Sequence, residues 1–182
     1  MRDEDKRRIG EELEPGGRPK APGRLALLQR FLNTYNHDFP ADWDRLETAE
    51  QANAWLAKAS LGEVTTDDEA QRLRAFREAL RALLVGRPGA HLGPAHVRIV
   101  VDAEGRTRLE PAASGAEGVI AAVLGILHEA QLSGDWERMK ACRQCEYAFY
   151  DRSKNRSAAW CSMAICGNRT KNRAYYRRRA RR

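Results

Sequence analysis

Cysteine is missing from the first 141 residues of this 182-residue chain, and all four cysteines then fall between positions 142 and 166. The long first part must therefore fold without a disulfide or a thiolate metal site. No apolar run approaches the ~20 residues that span a bilayer, so no membrane partner is expected. Met1 to Glu14 is mostly charged and holds no apolar segment of secretory-signal length. A cytoplasmic protein is the expectation, and that reducing compartment disfavours structural disulfides. The chain has no Gly-rich phosphate loop and no Gly-x-Ser-x-Gly. Its four histidines, His37, His91, His96 and His128, are scattered without metal-ligand spacing. No acid/base or nucleophile constellation is legible, and the expectation is that the protein is not an enzyme.

Acidic residues are also scarce at one end. From Glu137 to Arg182 there are fourteen Lys or Arg against three acids, a net +11, so the preceding 136 residues carry −4 of the chain's +7. A basic block of this kind usually meets a polyanion, most often nucleic acid. Between Gly167 and Arg182 there is no acid at all.

Along the chain, Pro15, Gly16, Gly17, Pro19, Pro22 and Gly23 among charges mark residues 1–23 as a disordered leader. Order is expected from Arg24. Leu25, Leu28, Phe31 and Leu32 share one helical face. In TAEQANAWLAKASL, Thr48 is the cap, and Ala52, Trp55, Leu56 and Ala59 form the buried side. TTDDEAQRLRAFREALRALLVG is the strongest helix. Thr66 or Asp67 opens it, Gly86 closes it, and Leu73, Phe76, Leu80, Leu83 and Leu84 face the core. Val97, Ile99 and Val101 alternate before Glu104-Gly105, which predicts a β-hairpin near 97–109. An apolar helix from Val119 to Leu127 should lie centrally. The fold class expected is mainly α with a small β-hairpin (α+β): a body over 24–132, then a finger over 136–182. Self-contained apolar periodicity predicts a body that folds on its own.

The cysteine spacing is Cys142-x2-Cys145, fifteen residues, then Cys161-x4-Cys166. Two disulfides, a redox dithiol and one tetrahedral metal site compete. The compartment argues against the first, and the lack of a surrounding α/β fold argues against the second. The spacing fits a two-pair zinc site with four sulfur ligands and no open position, which makes the single Zn2+ structural. Tyr147, Phe149, Tyr150 and Trp160 are expected to form a small core over it. After Cys166, Gly167 permits a close turn and Asn168 can cap a helix. Arg169, Arg173, Arg177 and Arg181 recur every four residues, widened by Lys171 and Arg178. Asn168, Asn172 and Tyr176 form a neighbouring polar line, and an Asn can in principle read adenine. In the body, the polar pair Asn33-Thr34 reads either as a helix-end hydrogen bond or as one side of a ligand pocket walled by Trp55.

The stretch from Trp136 to Arg179, including Phe149, Asp151, Ser153, Asn155, Trp160, Cys161 and Met163, resembles the CGNR zinc-finger family, named for Cys166-Gly167-Asn168-Arg169. The preceding part, through FLNTY, Trp55-Leu56, FREALRALL and GRTRLEP, is similar to the ABATE domain that accompanies this finger. The resemblance implies a treble-clef-like finger ending in a basic helix, and a bacterial, stress-induced, DNA-binding transcription regulator. Its partner would be double-stranded DNA, with a small-molecule effector sensed by the body and a homodimer as further expectations. An RNA- or protein-binding zinc-finger adaptor without sequence-specific DNA recognition is the alternative.

Overall fold

A computed structural model describes residues 13–14, 17–35, 44–88 and 90–179. Two short strands, β1 (Leu13–Glu14) and β2 (Arg18–Pro19), precede three helices: α1 (Leu25–Leu32), α2 (Ala49–Ala59) and α3 (Asp67–Leu84). A hairpin follows, β3 (Val97–Val101) with β4 (Thr107–Pro111), then the long helix α4 (Gly115–Leu132). A 3-10 turn over Asp135–Arg138 leads into the hairpin β5 (Met139–Ala141) and β6 (Ala148–Tyr150). A π-helical turn, Met163–Gly167, then runs directly into α5 (Asn168–Arg179). The strands form three separate two-stranded antiparallel sheets.

The helices begin where their caps require. Thr48 Oγ1 accepts from the amide of Gln51 and Thr66 Oγ1 from that of Glu69, each at 3.2 Å. The Glu69 carboxylate does more than complete its own turn. It accepts from the amides of Thr65 and Ala116, which ties the start of α3 to the start of α4. These backbone donors hold its carboxyl down at about 2. Gly86, at φ +69, lets the chain leave α3. The expected apolar face of α1 is all buried. Phe31 packs tilted against Trp55 and Phe76, with ring centroids 5.9 and 5.8 Å apart. Val119, Val123 and Ile126 bring α4 into the same core. Each such side chain contributes about 1.5–3 kcal/mol by leaving water.

The structure differs from the sequence expectation of the fold in four places, the smallest being Leu83, expected on the core side of α3 and exposed. First among the other three, the leader is not entirely outside the fold. Residues 1–12, 15 and 16 lie outside the described residues, but Ala21 is buried, and its amide donates to Gln29 Oε1. Gln29 sits in the core face of α1 with a carboxamide that must be satisfied, and the end of the leader supplies two of its partners, Ala21 N and Pro19 O. Second, the body and finger share a core. Met139, Ala148 and Tyr150 pack with Leu28, Phe31 and Ile126 in one cluster. Third, Tyr150 does not cover the cysteines as expected. Side chains alternate along a strand, so Ala148 and Tyr150 enter the body core while Tyr147 and Phe149 join the cysteines. Strand β6 is the wall between two cores.

Candidate metal centre

Cys142 and Cys145 lie on the connection between β5 and β6. The amide of Cys142 donates to Tyr147 O and the amide of Glu146 to Cys142 O, closing a tight knuckle in which Glu146 takes φ +55. The second pair comes from the far side. Cys161 precedes the π-helical turn and Cys166 lies within it. Ser162 anchors that turn, its Oγ accepting from Ile165 and its carbonyl from Cys166 and Gly167. A Cβ at Gly167 would sit 2.8 Å from Met163 Sδ and 3.4 Å from Trp160, so a larger residue there needs the exposed Met163 side chain to move aside. Asn168 does not cap a new helix as expected. It has helical φ and ψ, because the π-turn and α5 are continuous.

All four Sγ atoms lie within 4.8 Å of one another and are buried. Three separations are 3.7, 3.7 and 3.6 Å, for Cys145–Cys161, Cys161–Cys166 and Cys166–Cys145. Ligands ~2.3 Å from a central zinc stand about 3.8 Å apart in a tetrahedron, so the donor set fits. Four thiolates this close cannot share a dry site without a cation. Contact with Cys142 and Cys161 pushes the Cys145 thiol up, and burial pushes Cys166 up to about 12. A divalent ion reverses that penalty by binding the ionised sulfurs. Cys142, Cys145, Cys161 and Cys166 hold one structural zinc, with no coordination position left for a substrate. Among the described residues this is the one cluster with metal-ligand geometry, and His91, His96 and His128 do not join it. His37 lies outside the described residues.

The body grips this knuckle directly. Arg81, fully buried on α3, donates to the carbonyls of Leu32, Tyr35 and Glu146, and pairs with Glu78 at 3.2 Å. Arg87 holds the Glu146 carboxylate at 2.7 Å. On the other side of the finger, Asn33 meets strand β6 as another strand would: its Nδ2 donates to Ala148 O and its Oδ1 accepts from Ala148 N, both at 2.8 Å. Gln29 adds a donor to the same carbonyl at 3.2 Å and to Pro19 O at 2.8 Å.

These bonds bear on the expected ligand pocket. Neither of two grooves among the described residues is lined by Asn33, Thr34 or Trp55. The Asn33 carboxamide is committed to the finger backbone. Thr34 Oγ1 donates to Phe31 O and accepts from Arg77, which is itself buried in a bidentate pair with Asp44 at 2.7 Å. Trp55 packs on Phe31. A groove of about 760 Å³ opens elsewhere, between Arg24, the Leu61–Glu63 turn, β4 and the start of α4.

Helix α5 carries the nucleic-acid candidates. Asn168, Arg169, Lys171, Asn172, Arg173 and Arg177 are all exposed on it. Arg178 is part of the helix, and Arg181 lies outside the described residues. Thr170 ties the first turn back to the knuckle, its Oγ1 bonding Cys166 O at 3.0 Å and Gln144 Oε1 at 3.3 Å. The loop between the two cysteine pairs is fixed by Asp151. Burial alone would raise this carboxyl, but Lys140 and the amides of Ser153 and Ala158 hold it at about 2.

Sequence reasoning missed Arg81, Arg77, Gln29 and Glu146. A signal existed for the arginines. Positions 77 and 81 fall on the same helical stripe as Leu73, Leu80 and Leu84, so a core-facing charge was readable there. Nothing in the sequence pointed to its partner. The family model described as "Putative stress-induced transcription regulator" (ABATE) matches residues 23–141, and that of the CGNR zinc finger matches 138–179. The two matches overlap on β5. No curated protein matches the chain.

Proposed function

Starting from a chain that belongs to the ABATE family and ends in a CGNR zinc finger, we propose that the protein is a DNA-binding transcription regulator, acting by binding and not by catalysis. The observation that carries the reading is α5. It is a twelve-residue helix with no acid, anchored on the zinc site through Cys166 and Gly167, and it exposes Arg169, Arg173 and Arg177 at four-residue spacing. Such a helix is ~18 Å long, and a B-DNA major groove admits one. Neighbouring phosphates would relieve the repulsion between its like charges. The exposed Asn168 and Asn172 sit beside the arginine row, where a carboxamide can pair with adenine. The arginines supply affinity and position, and the asparagines supply sequence preference.

The body's share in this reading is to fix the finger. Effector sensing, if the body performs it, would reach α5 through the Arg81, Asn33 and Gln29 contacts to the knuckle and β6. The adaptor alternative differs in which polymer wins. Binding of duplex DNA and of structured RNA, compared by fluorescence anisotropy at matched salt, tests it. The proposal expects duplex DNA to bind more tightly. About five phosphate contacts would give a slope near −4.5 of log affinity against log salt. Equal or tighter binding of RNA, or no binding to either, would sink it.

A further inference from the structure

The hairpin β3–β4 has two outer edges, and only one of them is blunted. Asp102 N donates to Arg106 O and Ala112 N donates to His96 O. With the register Val97↔Pro111, Ile99↔Leu109 and Val101↔Thr107, alternation of antiparallel bonding turns the amides and carbonyls of Val97, Ile99 and Val101 away from β4. On the β4 side the matching edge carries Pro111, which has no amide to offer, and proline is a common guard of sheet edges. The β3 edge has no proline, no bulge and no lysine. Among the described residues no strand pairs with it.

The side chains on this strand follow the same division. Val97, Ile99 and Val101 share a face with Leu109, which packs on α4 at Gly125. They overhang that contact and are 40, 71 and 61% exposed. A β-branched, unpaired and apolar edge is an association site by its chemistry.

We propose that β3 pairs antiparallel with β3 of a second copy of this chain, about a two-fold axis at Ile99. The sequence His96-Val97-Arg98-Ile99-Val100-Val101-Asp102 fits itself in that register. Ile99 meets Ile99, Val97 meets Val101, and all three fall on one face. Arg98 meets Val100 and not another arginine, so no like charges oppose. His96 meets Asp102 at both ends, an imidazole opposite a carboxylate that already pairs with Arg106, so no like charges oppose there. The outward amides and carbonyls of Val97, Ile99 and Val101 fall in the hydrogen-bonded positions of the new pair. One strand from each copy makes a small interface, so the dimer should dissociate in the micromolar range. An isologous contact of this kind closes after two copies. The inference does not rest on DNA binding and is tested without nucleic acid.

Sedimentation velocity of the zinc-loaded full chain, from low to several hundred micromolar, should pass from monomer to dimer. Ile99→Lys sets two ammonium groups face to face at the axis and should remain monomeric throughout, with the wild-type melting temperature because the site is exposed. Residue-resolved amide exchange on the wild type gives the register. The amides of Val97, Ile99 and Val101 should gain protection as concentration rises, while those of Arg98 and Val100 stay protected at all concentrations. A wild-type chain that stays monomeric overturns the proposal. So does a dimer that persists in Ile99→Lys, one in which the Val97, Ile99 and Val101 amides exchange as in the monomer, or protection that appears only when some other protein is added.

Discussion

The body and the finger bury their cores by different means. The body closes around Leu28, Phe31, Leu73, Leu80, Val123 and Ile126, ordinary apolar side chains on three helices. The finger has a cluster of four cysteines with Tyr147 and Phe149. That is too little apolar area to fold alone, and structural zinc in comparable small modules supplies ~10–16 kcal/mol. Yet these are not two units on a string. Strand β6 turns Ala148 and Tyr150 toward one core and Phe149 toward the other. The body's buried Gln29 and Arg81 and its half-buried Asn33 complete their hydrogen bonds on the finger. A difference in how two regions are stabilised does not make them independent when each leaves polar groups for the other to satisfy.

The comparison is broken most severely by cutting between the regions. A chain ending at Leu132 loses Met139, Ala148 and Tyr150 from its core and strands the Arg81 and Asn33 side chains. Met139 and Tyr150 at about 1.5–3 kcal/mol each, with a smaller share from the Ala148 methyl, reach the lower part of the 5–15 kcal/mol that holds a whole domain. Differential scanning calorimetry of that fragment should find no cooperative transition near the full chain's. Next in size is Arg81→Met, which leaves the carbonyls of Leu32, Tyr35 and Glu146 without their donor. A loss of about 3–5 kcal/mol is expected in urea unfolding. Arg81→Lys should recover little, because an ammonium cannot reproduce the planar fork. Asn33→Ala removes both bonds to Ala148, although Gln29 still reaches that carbonyl, and should cost about 1–3 kcal/mol by the same measurement.

The smallest stability effect sharpens the comparison from the other side. Arg173→Ala with Arg177→Ala should change stability by no more than about 0.5 kcal/mol, since both side chains are exposed. The same double variant should make the salt slope of DNA binding shallower by roughly two units on every sequence. Unchanged binding with an unchanged slope would remove α5 from the interface.

Much of this was legible in the sequence. The caps at Thr48 and Thr66, the apolar face of α1 and the hairpin at Glu104-Gly105 are local signals, and all are where the chain puts them. The zinc ligands were legible because a tetrahedron of sulfurs constrains their spacing. The shared wall was not. Strand β6 has three residues, too few for alternation to announce which faces are buried. Its partner Asn33 is 115 positions away. An asparagine at a helix end looks the same whether it caps its own helix or bonds a distant strand. Arg77 and Arg81 were readable as core-facing by period, but Arg81 donates to backbone carbonyls, which carry no sequence signature, and Arg77 pairs with Asp44, 33 positions away.

The central claim is that zinc and the helical body stabilise one cooperative structure through β6. Thermal unfolding of the full chain, followed by helix ellipticity with zinc bound and after its removal by a chelator, tests this most directly. The zinc-loaded protein should melt in one transition, and removing the metal should move the melting of the body helices to lower temperature. A body transition that stays at the same temperature without zinc would contradict the shared core.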